Sequence, residues 1–247
     1  MILVGIDDTD TPESAGTNQL ARRLVASLPP GFEALLVLRH QLLFDPRVPY
    51  TSKNGSASIL LREEPGAAVD ALLDALRREM RAWYVPGSDP GLCVATEAPA
   101  NVVAFGRRCQ RELVGQAEAR ALAADAGIHL EGLGGTEDGV IGALAAVGLL
   151  ASADDGRVVH RPGWSWPDAF AGPRPVAEVR ARGVDAVLEH RSGAEVAGGS
   201  VDVGKHLRPA YRGGRVVLFV EAAQPDGAPS AEPGGARAAE WRALKLP

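Results

Sequence analysis

The N-terminus constrains the fold of this chain more than any other segment. Residues 2–6 form a short apolar run rich in β-branched side chains, which predicts a buried strand. Three carboxylates, those of Asp7, Asp8 and Asp10, follow that run within four residues. Because α/β sheets bind their ligands beyond the C-terminal ends of strands, we expect a binding site on this acidic loop.

Predicted strands and helices alternate along the rest of the chain. Apolar runs predict strands over residues 34–39, 56–62, 92–95, 128–133, 184–189 and 215–221. Apolar residues at helical spacing predict a helix after Thr17, helices over 67–80 and 140–150, and a longer helical region over 101–126. This alternation predicts a mixed α/β (α+β) fold.

Length, charge and cysteine usage limit the function classes. The 247 residues are enough for one large domain or two small ones. The formal net charge of −5 gives no general attraction to nucleic acid, so an RNA contact would need a local basic patch. No stretch approaches the roughly 20 apolar residues of a membrane span, and we expect a cytoplasmic protein without membrane contact. Cys93 and Cys109 lack the spacing of metal ligands, and we interpret both as reduced structural residues.

The acidic loop has the composition of a magnesium site. Carboxylates crowded at one strand end repel one another unless a cation lies among them. Mg²⁺ prefers oxygen ligands, commonly one or two carboxylates together with phosphate oxygens. One hypothesis is therefore that Asp7, Asp8 and Asp10 hold a divalent metal; the alternative is a solvated acidic loop.

Two further segments could approach an anion. Residues 14–18 are a small-residue loop that opens a helix, where free backbone N–H groups and the helix dipole favour negative charge. Residues 134–139 are a glycine-acid loop that permits close backbone approach, with Glu137 and Asp138 as oxygen donors. Neither segment is a Walker loop, and an ordinary capped helix start explains the first equally well.

A cationic loop follows the second predicted strand. It contains Arg39 and His40 at its start and Arg47, Tyr50, Lys53, Asn54 and Gly55 further on. Cations beside an acidic metal loop suit a polyphosphate. The alternative is a solvated hairpin loop.

Together and in this order, these motifs resemble one family, the tRNA(Ile2) 2-agmatinylcytidine synthetases. The matching features are the acidic run from Gly5 to Asp10, Thr17, the loop of residues 49–55 and the helix of residues 139–144. Enzymes of that family use ATP to join agmatine to C2 of a tRNA cytidine. Their kinase-type and ferredoxin-like domains are completed by an OB-fold and a zinc ribbon. The resemblance covers roughly residues 1–150.

The resemblance implies roles for individual residues. It implies ATP and Mg²⁺ as cofactors, and a metal held by Asp7, Asp8 and Asp10. Thr17 falls where the family has a threonine that can be phosphorylated. The catalytic residues implied are Asp7, Asp8, Thr17 and Lys53. The nucleotide-binding residues that we expect are Gly5, Thr9, Gly16, Arg39, Asn54, Gly55, Gly135, Asp138 and Gly139, of which the resemblance itself implies Asn54 and Gly55.

The same resemblance implies a division of the chain. Kinase-type elements are expected over residues 1–65 and again over 133–223, where they continue into C-terminal strands. A ferredoxin-like region is expected over 66–132, and a mobile tail rich in Pro, Gly and Ala over 224–247.

The sequence departs from the family in ways that bear on the acceptor. Two distant cysteines cannot form a zinc ribbon, and the last hundred residues are too short for an OB-fold plus a ribbon. We therefore expect a Mg²⁺-dependent, ATP-using phosphotransferase or synthetase with a small-molecule acceptor, and a homodimer is left open.

Four alternatives remain open at this point. The chain could modify tRNA with a partner protein, or be a non-catalytic nucleotide- or RNA-binding subunit. A basic face formed by Arg107, Arg108, Arg111 and Arg120 could bind an acceptor stem. A haloacid-dehalogenase-type phosphatase would use residues 8–10 as its nucleophile motif, although Lys205 and Glu137 are misordered as its later residues. Trp164 and Trp166 are interpreted as packing residues.

Overall fold

The computed structural model describes residues 1–48, 53–164, 169–223 and 239–245. The chain forms two compact units, Met1–Pro162 and Gly163–Pro247. Among the described residues, none of the helices is long and apolar enough to cross a membrane.

The first unit is an antiparallel sheet with helices on both faces. Its strands are β1 (Ile2–Asp7), β2 (Phe32–Gln41), β3 (Gly55–Glu63), β4 (Gly91–Ala95), β5 (His129–Gly132) and β6 (Arg157–His160). Its helices are α1 (Thr17–Ala26), α2 (Val69–Trp83), α3 (Ala100–Cys109), α4 (Gln116–Asp125) and α5 (Gly139–Ala151). The strand order is β5-β4-β1-β3-β2-β6, so the predicted N-terminal strand is confirmed as an interior strand.

The two faces of β1 explain how the acidic loop is placed. Ile2, Val4 and Ile6 are fully buried on the face that packs against α1 and α2. The alternate residues, among them Gly5 and Asp7, face α5 on the other side of the sheet. A Cβ at Gly5 would overlap the carbonyl oxygen of Ala143, so the missing side chain lets β1 and α5 lie in backbone contact.

Helix α5 is apolar around almost its whole circumference because it is covered on all sides. It packs against strands β1, β3 and β4 and against α3 and α4. A helix of this kind belongs in the interior of a layered fold. The mixed α/β class predicted from the sequence is thereby confirmed.

Some predicted elements differ in their bounds. The helical region predicted over 101–126 is two helices, α3 and α4, separated by residues 110–115. Helix α1 begins at Thr17, but Gly16 is its N-cap, and no side chain caps it. The hydroxyl of Thr17 is instead used by the acidic loop.

The second unit is built around one long strand. Its elements are β7 (Pro173–Pro175), α6 (Val176–Ala181), β8 (Ala186–Glu189), β9 (Ser200–Asp202), β10 (Ala210–Arg212), β11 (Arg215–Ala222) and β12 (Trp241–Ala243). Strand β11 pairs antiparallel with β10 and β12 and parallel with β8. Strand β9 continues the sheet by pairing with β12 and β7.

The boundary between the two compact units differs from the domain boundaries implied by the resemblance. Boundaries at 65/66 and 132/133 fall inside the first unit, so the kinase-type and ferredoxin-like labels stay predictions. Of the tail predicted over 224–247, residues 224–238 and 246–247 lie outside the described residues, and 239–245 contain β12. Tyr50 of the cationic loop and Trp166 also lie outside them.

Candidate functional site

A cavity of about 280 Å³ opens at the C-terminal end of β1. Seven predicted site residues line it: Asp7, Asp8, Asp10, Lys53, Asn54, Gly55 and Asp138. The remaining lining residues are Leu42, Leu43, Arg47, Val48, Cys109, Glu112, Leu113, Val114, Gly115, Gln116, Ile141 and Gly142. The structure therefore brings the acidic loop, the cationic loop and the start of α5 to one place.

The carboxylate of Asp7 lies against α5. Its Oδ2 atom occupies the space where a side chain at Gly142 would begin, so only glycine fits at that helix position. Desolvation and the neighbouring charge of Asp8 raise the pKa of Asp7 from 3.8 to about 7. The carboxyl group is therefore partly protonated near neutral pH unless a cation approaches it.

Asp8 adopts an uncommon backbone conformation and has a perturbed pKa. Its φ of 51° lies in the left-handed region that a non-glycine residue seldom occupies. Desolvation, followed by the charges of Asp89 and Asp10, raises the pKa of Asp8 to about 6. Strained residues with shifted pKa values are typical of functional sites.

A loop around Asp89 supports this conformation. The Asp89 N–H donates to the Asp8 carbonyl oxygen over 3.1 Å, and the Asp89 carbonyl accepts from Gly139 over 2.9 Å. Side chains at Gly135 or Gly139 would overlap atoms of Asp89. The two predicted glycines thus serve the packing that holds Asp8, and they do not line the cavity.

Asp10 is held by a chain of hydroxyl groups. Thr17 donates from Oγ1 to Asp10 Oδ1 over 3.0 Å, and Thr9 donates to Thr17 Oγ1 over 3.1 Å. Thr9 and Thr17 are both buried, with exposed fractions of 2% and 7%. Thr9 and Thr17 therefore tie the acidic loop to the first turn of α1, and neither these two residues nor Gly16 lines the cavity.

The cations of the opposite wall differ in their availability. Arg47 forms a two-pronged ion pair with Asp45, with contacts of 2.8 and 2.7 Å, which lowers the pKa of Asp45 to about 2. Lys53 is exposed and forms no ion pair with any described residue. Lys53 is therefore the cavity cation that a ligand can engage without breaking an existing pair.

Arg39 lies behind the cavity wall, and its guanidinium covers Gly55. A Cβ at Gly55 would overlap the guanidinium, and Arg39 Nη2 donates to Gln41 Oε1 over 3.1 Å. Desolvation lowers the pKa of Arg39, and the charge of Asp7 opposes that shift. Arg39 is thus electrostatically coupled to the acidic loop, although it does not line the cavity.

The donor chemistry of the cavity fits a hard cation. Five carboxylates line it, those of Asp7, Asp8, Asp10, Glu112 and Asp138, against the cations of Arg47 and Lys53. No group of three or more His, Cys, Asp or Glu side chains within the described residues is arranged to hold a metal by itself. A Mg²⁺ ion bound by one or two of these carboxylates would take its remaining oxygens from a phosphate ligand and water.

The arginines of α3 and α4 are already paired. Arg107 contacts Asp155 over 3.3 Å, Arg108 contacts Glu112 over 3.1 Å, and Arg120 pairs with Glu137. Three of the four arginines of the basic face suggested by the sequence are paired with carboxylates of the same unit, and only Arg111 has no ion pair with any described residue. An acceptor stem would have to displace these partners.

Several site residues escaped the sequence pattern. Residues 112–115, in the break between α3 and α4, and Gln116, the first residue of α4, form one wall of the cavity. A break at that place was not predicted, so these residues were interpreted as part of one continuous helix. Asp89 was missed as well, and its only signal was the turn in which it lies.

Comparisons with known proteins place the fold. No known protein-family profile matches the sequence, and no curated protein matches it. A crystal structure of a tRNA fluorescent labelling enzyme matches with a TM-score of 0.52 at 25% identity, over 60% of this chain and 35% of that chain. The TiaS–tRNA(Ile2)–ATP complex matches with a TM-score of 0.52 at 24% identity, over 60% and 36%. The TiaS–tRNA(Ile2)–AMPCPP–agmatine complex matches with a TM-score of 0.51 at 22% identity, over 59% of this chain and 35% of that chain.

These structural matches confirm the resemblance that the motifs predicted, because TiaS is a tRNA(Ile2) agmatidine synthetase. The likeness is partial: the matched region spans about a third of each of those chains. It establishes a shared fold over that region.

The raised pKa of Asp7 predicts how stability depends on pH. Between 3.8 and about 7 the folded state holds a proton that the unfolded chain has released. The free energy of unfolding should therefore fall as pH rises through this window, and Asp7→Asn should flatten the fall. Urea unfolding in metal-free buffer at a series of pH values measures both profiles.

Asp45→Asn is the matched control for that experiment. The pKa of Asp45 is lowered, so its contribution is fully present above 3.8 and is lost only as pH falls further. The Asp45→Asn profile should keep the wild-type slope above 3.8. An Asp7→Asn slope equal to that of the wild type would show that the carboxyl of Asp7 is not desolvated.

Proposed function

We propose that this chain binds ATP with Mg²⁺ in the cavity at the end of β1 and catalyses attack on an ATP phosphorus atom. The observation that carries the proposal is the arrangement of charge: desolvated carboxylates on one wall and, on the other, a lysine that has no ion-pair partner among the described residues. ATP alone carries negative charge and would be repelled by five carboxylates. A divalent cation resolves that repulsion and polarises the phosphate.

Each wall has its own task in this proposal. Asp7 and Asp8 hold the metal, and Asp10 supports it from the position that Thr17 gives it. Lys53 neutralises phosphate charge directly, and Arg39 adds positive potential from behind Gly55. Thr17 then acts by orienting Asp10, since its buried hydroxyl is already donated.

The rest of the cavity suits a small acceptor. Leu42, Leu43, Leu113 and Ile141 give it apolar surface, which can cover the uncharged part of a ligand. This mixture of apolar and polar lining suits a small molecule as the acceptor. The fold match to ATP complexes supports the nucleotide, and the acceptor stays the small molecule proposed from the sequence.

Lys53→Ala tests the proposal at the cationic wall. A charge-assisted contact contributes about 1.5–3 kcal/mol, so the dissociation constant of Mg²⁺–ATP should rise roughly tenfold or more. Titration calorimetry measures the constant. Lys205→Ala removes an exposed lysine of the second unit, and that control should bind as the wild type does. Unchanged affinity in folded Lys53→Ala would remove Lys53 from the site.

Modification of RNA is the second candidate, and an observation in the second unit favours it. Residues 203–220 contain no acidic side chain, and Lys205, Arg208 and Arg215 form no ion pair with any described residue. Such a run can contact phosphates. The matched structures include tRNA complexes, and the chain would then take tRNA as its acceptor, with or without a partner protein.

A product assay separates the two candidates. We expect no agmatinylcytidine when the pure chain is incubated with ATP, agmatine and tRNA, because the chain is acidic overall and the α3–α4 arginines are paired. Digestion to nucleosides followed by mass spectrometry detects the product. Its appearance, and its loss in an Arg208→Ala and Arg215→Ala double variant, would establish the second candidate instead.

A further inference from the structure

A fully buried histidine, His40, lies in β2 between Arg39 and Gln41. His40 Nδ1 lies 2.7 Å from Asp155 Oδ1, and His40 Nε2 lies 2.7 Å from Ser58 Oγ. The order of groups matches that of a Ser-His-Asp hydrolase, but His40 and Ser58 are both 0% exposed. No substrate can reach Ser58, so this chain of hydrogen bonds has another role.

The second carboxylate oxygen of Asp155 connects the histidine to the C-terminal end of α3. Gln110 Nε2 donates to Asp155 Oδ2 over 2.9 Å and to the carbonyl oxygen of Gln41 over 3.2 Å. Arg107 also contacts Asp155 Oδ2, over 3.3 Å. Gln110 therefore joins the buried His40–Asp155 pair to the last residue of β2.

The side chain of Gln41 continues the connection to the phosphate side of the cavity. Gln41 Nε2 donates to the carbonyl oxygen of Asn54 over 2.6 Å, and Gln41 Oε1 accepts from Arg39 over 3.1 Å. Asn54 Nδ2 in turn donates to the carbonyl oxygen of Leu43 over 2.8 Å. Gln41 thus holds both the guanidinium of Arg39, which lies behind Gly55, and the backbone of Asn54.

We propose that Gln41 and Gln110 are positioning residues that hold Arg39 and the Asn54–Gly55 backbone in place for the phosphates of the bound nucleotide. The His40–Asp155 pair is the rigid anchor from which they act. This inference rests on the proposed ATP site. It extends that site through residues that do not themselves contact the ligand.

Physical reasons favour positioning over simple stabilisation. Satisfied polar networks in the interior are rigid and define one arrangement of their members. Arg39 has no carboxylate partner among the described residues, so Gln41 Oε1 is the acceptor that orients its guanidinium. Asn54 and Gly55 line the cavity, and a displacement of about 1 Å in a group that faces a reacting phosphate can cost on the order of 100-fold in rate.

The test is a double-mutant cycle on the binding of Mg²⁺–ATP. Methionine keeps the length of glutamine and removes its hydrogen bonds. Gln41→Met should raise the dissociation constant about tenfold, the effect of a misplaced charged donor. Gln110→Met should raise it by a smaller factor, and the double variant should be no weaker than Gln41→Met alone, because both act through one connection. Gln19→Met, on the exposed face of α1, is the matched control and should bind as the wild type does.

Thermal unfolding of every variant separates positioning from a structural role. Lower melting temperatures with wild-type dissociation constants, or losses that add in the double variant, would overturn the proposal. If Gln41→Met does not fold, Gln110→Met and Gln41→Glu carry the same test. Failure of the wild type to bind Mg²⁺–ATP would overturn the proposed function and this inference together, whereas equal binding by wild type and variants would overturn the inference alone.

Discussion

The contact between the Asp7 carboxylate and helix α5 is the constraint on which the site depends. Asp7 ends the interior strand β1, and its side chain occupies the space left by the missing side chain of Gly142. Two residues earlier on the same face of β1, the missing side chain of Gly5 allows the same helix to approach the strand backbone. The carboxylate is therefore partly shielded from water by the layer that also forms the core, although it still lines the cavity. Its raised pKa follows directly from this packing.

The conformations and contacts of the neighbouring acidic residues follow from that placement. The chain must turn sharply after Asp7, which puts Asp8 in the left-handed region, and the Asp89 loop holds it there. Thr17 then fixes Asp10 at the other end of the loop. These contacts hold three acidic side chains near one another at a cost in repulsion and strain. When a cation binds together with an anionic ligand, the cation relieves the repulsion between the carboxylates, and binding offsets this cost.

Short sequence patterns predicted those parts of the site whose conformation is determined by residues close together in the chain. The strand of residues 2–6, its acidic loop, and Lys53, Asn54 and Gly55 were readable because short runs and turn residues specify them. Long-range pairing escaped prediction: His40 and Asp155 are 115 residues apart and meet only through the tertiary fold.

The break between α3 and α4 also escaped, because residues 110–115 contain no proline and only one glycine at their end. The position of this wall depends on how α3 and α4 pack against α5, which no local pattern encodes. Several predicted glycines proved to serve packing, since glycine permits close approach to a ligand and to another element equally well.

The most direct test of the account is calorimetric titration of the wild-type chain with ATP in Mg²⁺ and again in EDTA. We expect clear binding with Mg²⁺ and much weaker binding in EDTA, because five cavity carboxylates then repel the phosphates without a cation between them. In Asp8→Asn the gain in affinity from Mg²⁺ should be smaller than in the wild type. Equal affinity for ATP in Mg²⁺ and in EDTA would contradict the account.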